Sequence, residues 1–116
     1  MAIIVAGSLK IEPGYREEFI KRSIASVSLA RDNDSCLDFA VSPDPIDENR
    51  VNIFELWTTR DALDRFRSSG PENDLFSMVK SFHVAEYETS WKCNWQFSMW
   101  RRCIRGFSAF TTFFFV

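Results

Sequence analysis

The sequence predicts an α+β fold, with helices laid on an antiparallel sheet of four strands. Three observations predict it. Four runs alternate large apolar residues with a period of two. The runs between them carry apolar residues at helical spacing. The boundaries fall at clusters of Pro, Gly, Asp, Asn and Ser. A chain of 116 residues is one domain, with at most a short appendage.

The first strand covers 2–11, with Ile3, Val5, Leu9 and Ile11 on one face and Gly7 between them. Glu12-Pro13-Gly14 ends it as a turn. A helix is expected over 15–32, its apolar stripe made by Phe19, Ile20, Ile24, Val27 and Ala30. After the polar break 31–35, a second strand covers about 36–42, with Leu37, Phe39 and Val41 sharing a face. Pro43-Asp44-Pro45 opens a turn-rich loop. The third strand runs from Arg50 to Thr58, with Val51, Ile53, Glu55 and Trp57 facing one way and Asn52, Phe54 and Leu56 the other. Thr58 and Thr59 are both candidate N-caps for a helix over 60–68, and Thr58-x-x-Asp61 has the outline of a capping box. A further helix over about 72–80 rests on Leu75, Phe76 and Val79. The last strand covers about 82–89, with Phe82, Val84, Glu86 and Glu88 opposed to His83, Ala85, Tyr87 and Thr89.

This order, β-α-β-β-α-(α)-β, is the split βαβ arrangement called ferredoxin-like. Large apolar groups occupy both faces of the first and third strands. A sheet with one wet face alternates more cleanly. Helices in a ninety-residue domain cover one face only, so a homodimer packed sheet to sheet is expected.

Net charge is −2, which supplies no basic field for nucleic acid. Cys36, Cys93 and Cys103 are odd in number and widely spaced, which argues against a disulfide framework or a zinc site. The N-terminal run has no basic segment and is too short for a signal peptide, so the expected address is the cytoplasm. The domain is expected to occupy 1–90. Residues 91–116 differ, with nine aromatics, Lys92, Arg101, Arg102 and Arg105, and no acid. This tail reads as unselected sequence from a frameshift or read-through, as a segment touching a membrane interface, or as packing on the domain or its dimer.

The most informative stretch is 51–66. Glu55 and Trp57 are two apart on a strand and point to one side. A carboxylate beside an indole on an apolar face has a raised pKa and suits proton abstraction from a phenol or enol. The structural alternative is that Glu55 pairs with an arginine or caps backbone while Trp57 fills the core. The single histidine, His83, is a catalytic candidate or a surface residue. Phe39, Phe54 and Phe66 are core or pocket wall, and Arg65 and Arg67 read as a solvated helix face. No phosphate loop, nucleophile elbow or metal cluster is present in the sequence.

Several segments together resemble the antibiotic biosynthesis monooxygenase family of small dimeric αβ-barrel proteins. They are Leu9-Lys-Ile-Glu-Pro-Gly-Tyr-Arg-Glu-Glu-Phe19, Ala30-Arg31, Cys36-Leu-Asp-Phe39, Ser42-Pro-Asp44-Pro45, Glu55-Leu-Trp57-Thr-Thr59 and Ala62-Leu63. The resemblance covers residues 3 to about 89. It implies oxidation of a small aromatic quinol or phenol by molecular oxygen, with no metal or flavin cofactor. It places Trp57, Glu55 and His83 as catalytic candidates and Asn52, Phe39, Phe54 and Phe66 about the substrate, although Asn52 has the opposite strand parity. Many relatives carry a histidine where this chain has Phe66. Haem-degrading relatives need a histidine in the second-helix region with an Asn–Trp pair, so haem degradation is not expected. A non-catalytic, dimeric small-molecule binder or stress-associated protein is the alternative.

Overall fold

The computed structural model describes residues 1–69 and 74–90. The expectations for the tail 91–116 lie outside the described residues. The elements are β1 (Ala2–Ile11), α1 (Arg16–Arg31), β2 (Cys36–Pro43), β3 (Arg50–Trp57), α2 (Arg60–Ser69), a 3-10 turn (Asp74–Met78) and β4 (Val79–Thr89). The strands form one sheet in the order β2-β3-β1-β4, and all three pairings are antiparallel. That is the expected α+β, ferredoxin-like arrangement.

Local chemistry sets the boundaries. Tyr15 N–H donates to the Glu12 carbonyl at 3.1 Å, and Gly14 has φ +86°. Pro13 and Gly14 thus fill the two central positions of a turn that requires a positive φ at the second. Thr59, rather than Thr58, caps α2. Its Oγ1 accepts the Ala62 N–H at 3.1 Å. At the end of α1, Arg31 Nε–H donates to the Phe39 carbonyl at 2.8 Å and ties the helix to β2.

Three expectations are corrected. On α1, Phe19, Ser23 and Ala30 are buried, whereas Ile24 is 60% exposed. The buried stripe is rotated, and Ser23 tolerates it because its hydroxyl donates to the Ile20 carbonyl at 2.7 Å. On β2, the register slips between Cys36 and Asp38. Leu37 is the extra residue of this bulge and is 53% exposed, while Cys36 and Phe39 pack inward. Within the expected helix over 72–80, Asp74–Met78 is a 3-10 turn of five residues. Leu75 and Met78 bury at i,i+3, the spacing that eclipses side chains in this geometry. β4 consequently starts at Val79, paired with Ile11 beyond a second irregularity.

The core lies between the helices and one face of the sheet, and it is divided. One cluster holds Ile3, Val5, Ala30, Phe39, Trp57, Ala62 and Leu63. The other holds Leu9, Ile11, Phe19, Val51, Leu75 and Met78. Between them on β1 stands Gly7, in the row where Ile3, Val5, Leu9 and Ile11 project inward. This central position supplies no side chain to fill the interior. Among the described residues no helix is long and apolar enough to cross a membrane.

Candidate functional site

A cavity of about 350 Å³ occupies the gap between the two core clusters. Val5 and Leu9 of β1, Phe39 of β2, Ile53 and Glu55 of β3, and Val84 of β4 form its sheet wall. Phe19, Ser23 and Ser26 reach it from α1, and Arg67 from α2. The walls are mostly apolar, and Glu55 and Arg67 are the two ionisable side chains among the described residues lining it. A volume at the low end of the usual 300–1,000 Å³ range suits a small organic molecule.

Parity places Glu55 here. Val51, Ile53, Glu55 and Trp57 share the inward face of β3, with Glu55 opposite Val5 on one side and Phe39 on the other. Trp57 is wholly buried, and its indole N–H donates to Glu55 Oε2 at 2.9 Å. The carboxyl is held above the ordinary glutamate range, first by burial and to a lesser degree by the charge of Glu86. The Trp57 hydrogen bond and the Arg67 charge oppose that rise.

Behind Glu55, three aromatic rings form a wall. Phe39 stands edge-on to Trp57 at 6.5 Å between centroids. Phe66 lies 5.0 Å from Trp57 and 5.9 Å from Phe39. Such tilted and edge-to-face contacts add packing energy beyond area alone. At the opposite rim, Phe76 and Phe82 meet at 5.8 Å.

A family model for antibiotic biosynthesis monooxygenases matches residues 2–90. The chain belongs to this family. Membership carries a monooxygenase-like role at the level of the family and no particular substrate. The protein sll1783 of Synechocystis sp. is 36% identical over 99 residues. That match takes in 75% of this chain and 66% of the cyanobacterial protein, so the chain spans about two thirds of that relative's length. Among solved structures, a protein of Methanosarcina mazei Go1 superposes with a TM-score of 0.63 at 18% identity, covering 75% of this chain and 91% of its own. Rv0793 of Mycobacterium tuberculosis gives 0.64 at 15% identity, covering 81% and 100%. At such identities the structures are similar in fold alone.

Within this family fold, the residues singled out from sequence divide between two faces of the sheet. Glu55, Trp57, Phe39 and Phe66 gather on the helix side. Glu55 and Phe39 line the cavity, whereas Trp57 sits behind Glu55 with no exposed surface. Asn52, Phe54 and His83 are on the opposite face, opposite Ser8, Ala6 and Ser8 respectively on β1. Asn52 Nδ2–H donates to Asp44 Oδ1 at 3.0 Å and so serves the 43–50 loop. His83 is exposed, with Nε2 3.3 Å from Ser81 Oγ.

Sequence reasoning passed over Arg67, Glu86, Phe19, Ser23 and Phe82. Arg67 does not merely face water. It pairs with Glu86 and also lines the cavity. Parity carried the signal for Phe82 and Glu86, which lie opposite Leu9 and Val5 and so turn to the helix side. A larger, more open groove of about 540 Å³ runs between the end of α1 and α2. Asp32, Asn33, Arg65 and Ser69 give it a polar lining, and it brings no carboxyl into an apolar setting.

Proposed function

We propose that the chain is a cofactor-independent oxygenase acting on a small aromatic quinol or phenol, with Glu55 as the proton acceptor. The observation that carries this reading is one carboxyl, its pKa raised by burial, in the wall of a mostly apolar cavity. A raised pKa makes Glu55 a stronger base than an exposed glutamate. Trp57 fixes the carboxyl through its N–H and acts as a positioning residue. Phe39 and Phe82 supply flat apolar surface for a ring, while Phe66 backs Trp57. Asn52, Phe54 and His83 have no place in this arrangement, because they lie across the sheet.

The chemistry balances without a further reactant. Glu55 takes the phenolic proton, and the phenolate passes an electron to molecular oxygen. Recombination forms a carbon–oxygen bond at a free ortho or para carbon. That carbon then loses its hydrogen as a proton while the O–O bond breaks. One oxygen atom remains as the new carbonyl, and the other leaves as water. The protein contributes the base, orientation and a dry setting.

A second reading, a non-catalytic binder, draws on Trp57 and Phe66. The indole has no surface from which to touch a ligand, and a phenyl ring fills the place beside it. Oxygen uptake with dithranol or menadiol decides between the two. The native, metal-free chain is expected to exceed the buffer rate, and Glu55→Gln to fall to it. Uptake at the buffer rate for both proteins would favour the binder. Loss of uptake on adding a chelator would assign the activity to a bound metal instead.

The same reading includes a homodimer. The sheet face away from the helices carries Ile4, Ala6, Ala40, Phe54, Leu56 and Tyr87, with Tyr87 56% exposed. A second copy of this face is the simplest cover.

A further inference from the structure

We propose that Arg67 selects the substrate, and that this substrate carries a carboxylate at the end remote from its phenolic hydroxyl. This rests on the reading of the cavity as a site for a small phenol and extends it to a substrate class, a hydroxyarene carboxylate.

Among the described residues, Arg67 is the one cation in the cavity wall, and it is only partly committed. Arg60 and Arg67 lie two helical turns apart on α2, so both face β4. There they share one partner. Arg60 Nη1 donates to Glu86 Oε2, and Arg67 Nη1 donates to Glu86 Oε1. Two guanidinium groups thus share one carboxylate at the mouth of the cavity. The Arg67 side chain is 44% exposed, at the rim rather than in the interior.

Among the described residues, Arg67 is engaged through one nitrogen, Nη1. Its Nε and Nη2 hydrogens make no hydrogen bond among the described residues. Those two nitrogens form the side edge of the guanidinium, the edge that meets a carboxylate through two parallel N–H···O bonds. Glu86, held from both sides by Arg60 and Arg67, anchors the guanidinium through Nη1 and leaves that edge unoccupied among the described residues.

The polar groups are therefore separated by depth. Glu55 is mostly buried among apolar side chains, and Arg67 is at the mouth. A neutral quinol satisfies Glu55 and leaves the free edge of Arg67 to water. A flat molecule with its hydroxyl inward and its carboxylate outward satisfies both. Its rings then run along Phe39 and Phe82.

Calorimetric titration of the full chain under argon tests this, with 6-hydroxy-2-naphthoate compared against 2-naphthol. Removing oxygen separates binding from turnover. The naphthoate is expected to bind about tenfold more tightly, as for a hydrogen bond to a charged group. Arg67→Gln should remove that advantage and bring the naphthoate to the affinity of 2-naphthol, and binding of 2-naphthol by the variant reports an intact cavity. Arg67→Lys should keep part of it, as a point charge without the fork. Glu86→Gln should strengthen the preference, because it frees a competing anion's place. Equal affinities in the native chain, or a preference that survives Arg67→Gln, would overturn the proposal. Failure of both ligands to bind would remove the phenol-site reading as well. A preference without oxygen uptake in air would leave Arg67's role standing and remove only the oxygenase.

Discussion

Trp57 and Glu55, two residues apart on β3, are joined by an indole N–H···Oε2 hydrogen bond of 2.9 Å on the inward face of the sheet. The bond belongs to one strand, so its geometry follows from the pleat and survives small shifts of the helices. It stabilises the ionised carboxyl in a place where burial favours the neutral one.

Replacing the donor tests that balance. Trp57→Phe removes the bond, so the Glu55 pKa should rise further. A base works only when deprotonated. The rising limb of the pH–rate profile for oxygen uptake should therefore move to higher pH. Loss of buried volume and of the bond should also cost about 2 kcal/mol of stability. A limb at the native position, measured in a variant that still folds, would remove Glu55 as the titrating base.

The same carboxyl has a stability signature. Its folded pKa lies above the ordinary glutamate value, so folding favours the protonated form. Stability from this group is fully present below the unfolded pKa and is lost as pH rises through the folded one. Glu55→Gln should therefore raise Tm at neutral pH. The gap between variant and native should close near about pH 4. Thermal melts across that window check both statements, and a gap that widens on acidification would contradict the sign.

Strand parity made much of this site legible in the sequence. A period of two is a local property, and it placed Glu55 with Trp57 and set Asn52 apart. The sheet order followed from the succession of elements. What escaped depends on how elements dock. Whether Ser23 or Ile24 faces the core is decided by the angle at which α1 lies on the sheet, and two residues one position apart cannot reveal it. The outward turn of Leu37 needs a bulge, which the alternation of β2 conceals. Arg67 looked solvated because its partner, Glu86, is nineteen positions away on another element. His83 and Glu55 lie on neighbours of the same strand, β1, yet on opposite faces.

Gly7 should be intolerant of any side chain. Its φ is +148°, a conformation that L residues rarely adopt, and a Cβ would lie 2.0 Å from the His83 carbonyl oxygen. That atom belongs to the backbone of β4 and cannot swing aside. Gly7→Ala should cost about 3 kcal/mol in urea unfolding. A cost below about 0.5 kcal/mol would mean that β1 and β4 can separate at this point without penalty.

The uncovered sheet face gives the last prediction. Phe54 lies on β3, opposite Ala6 of β1 and Ala40 of β2, so small neighbours flank it on both sides. In a single chain it is 36% exposed, and a charge there could reach water at little cost. Between two such sheets the same charge would be buried without a partner, at a cost of about several kcal/mol. Phe54→Lys should therefore leave the fold intact and abolish association. Light scattering at micromolar concentration should give the native chain twice its 13.5 kDa mass and the variant that mass alone. A native monomer, or a variant as dimeric as the native chain, would place the contact elsewhere on the molecule.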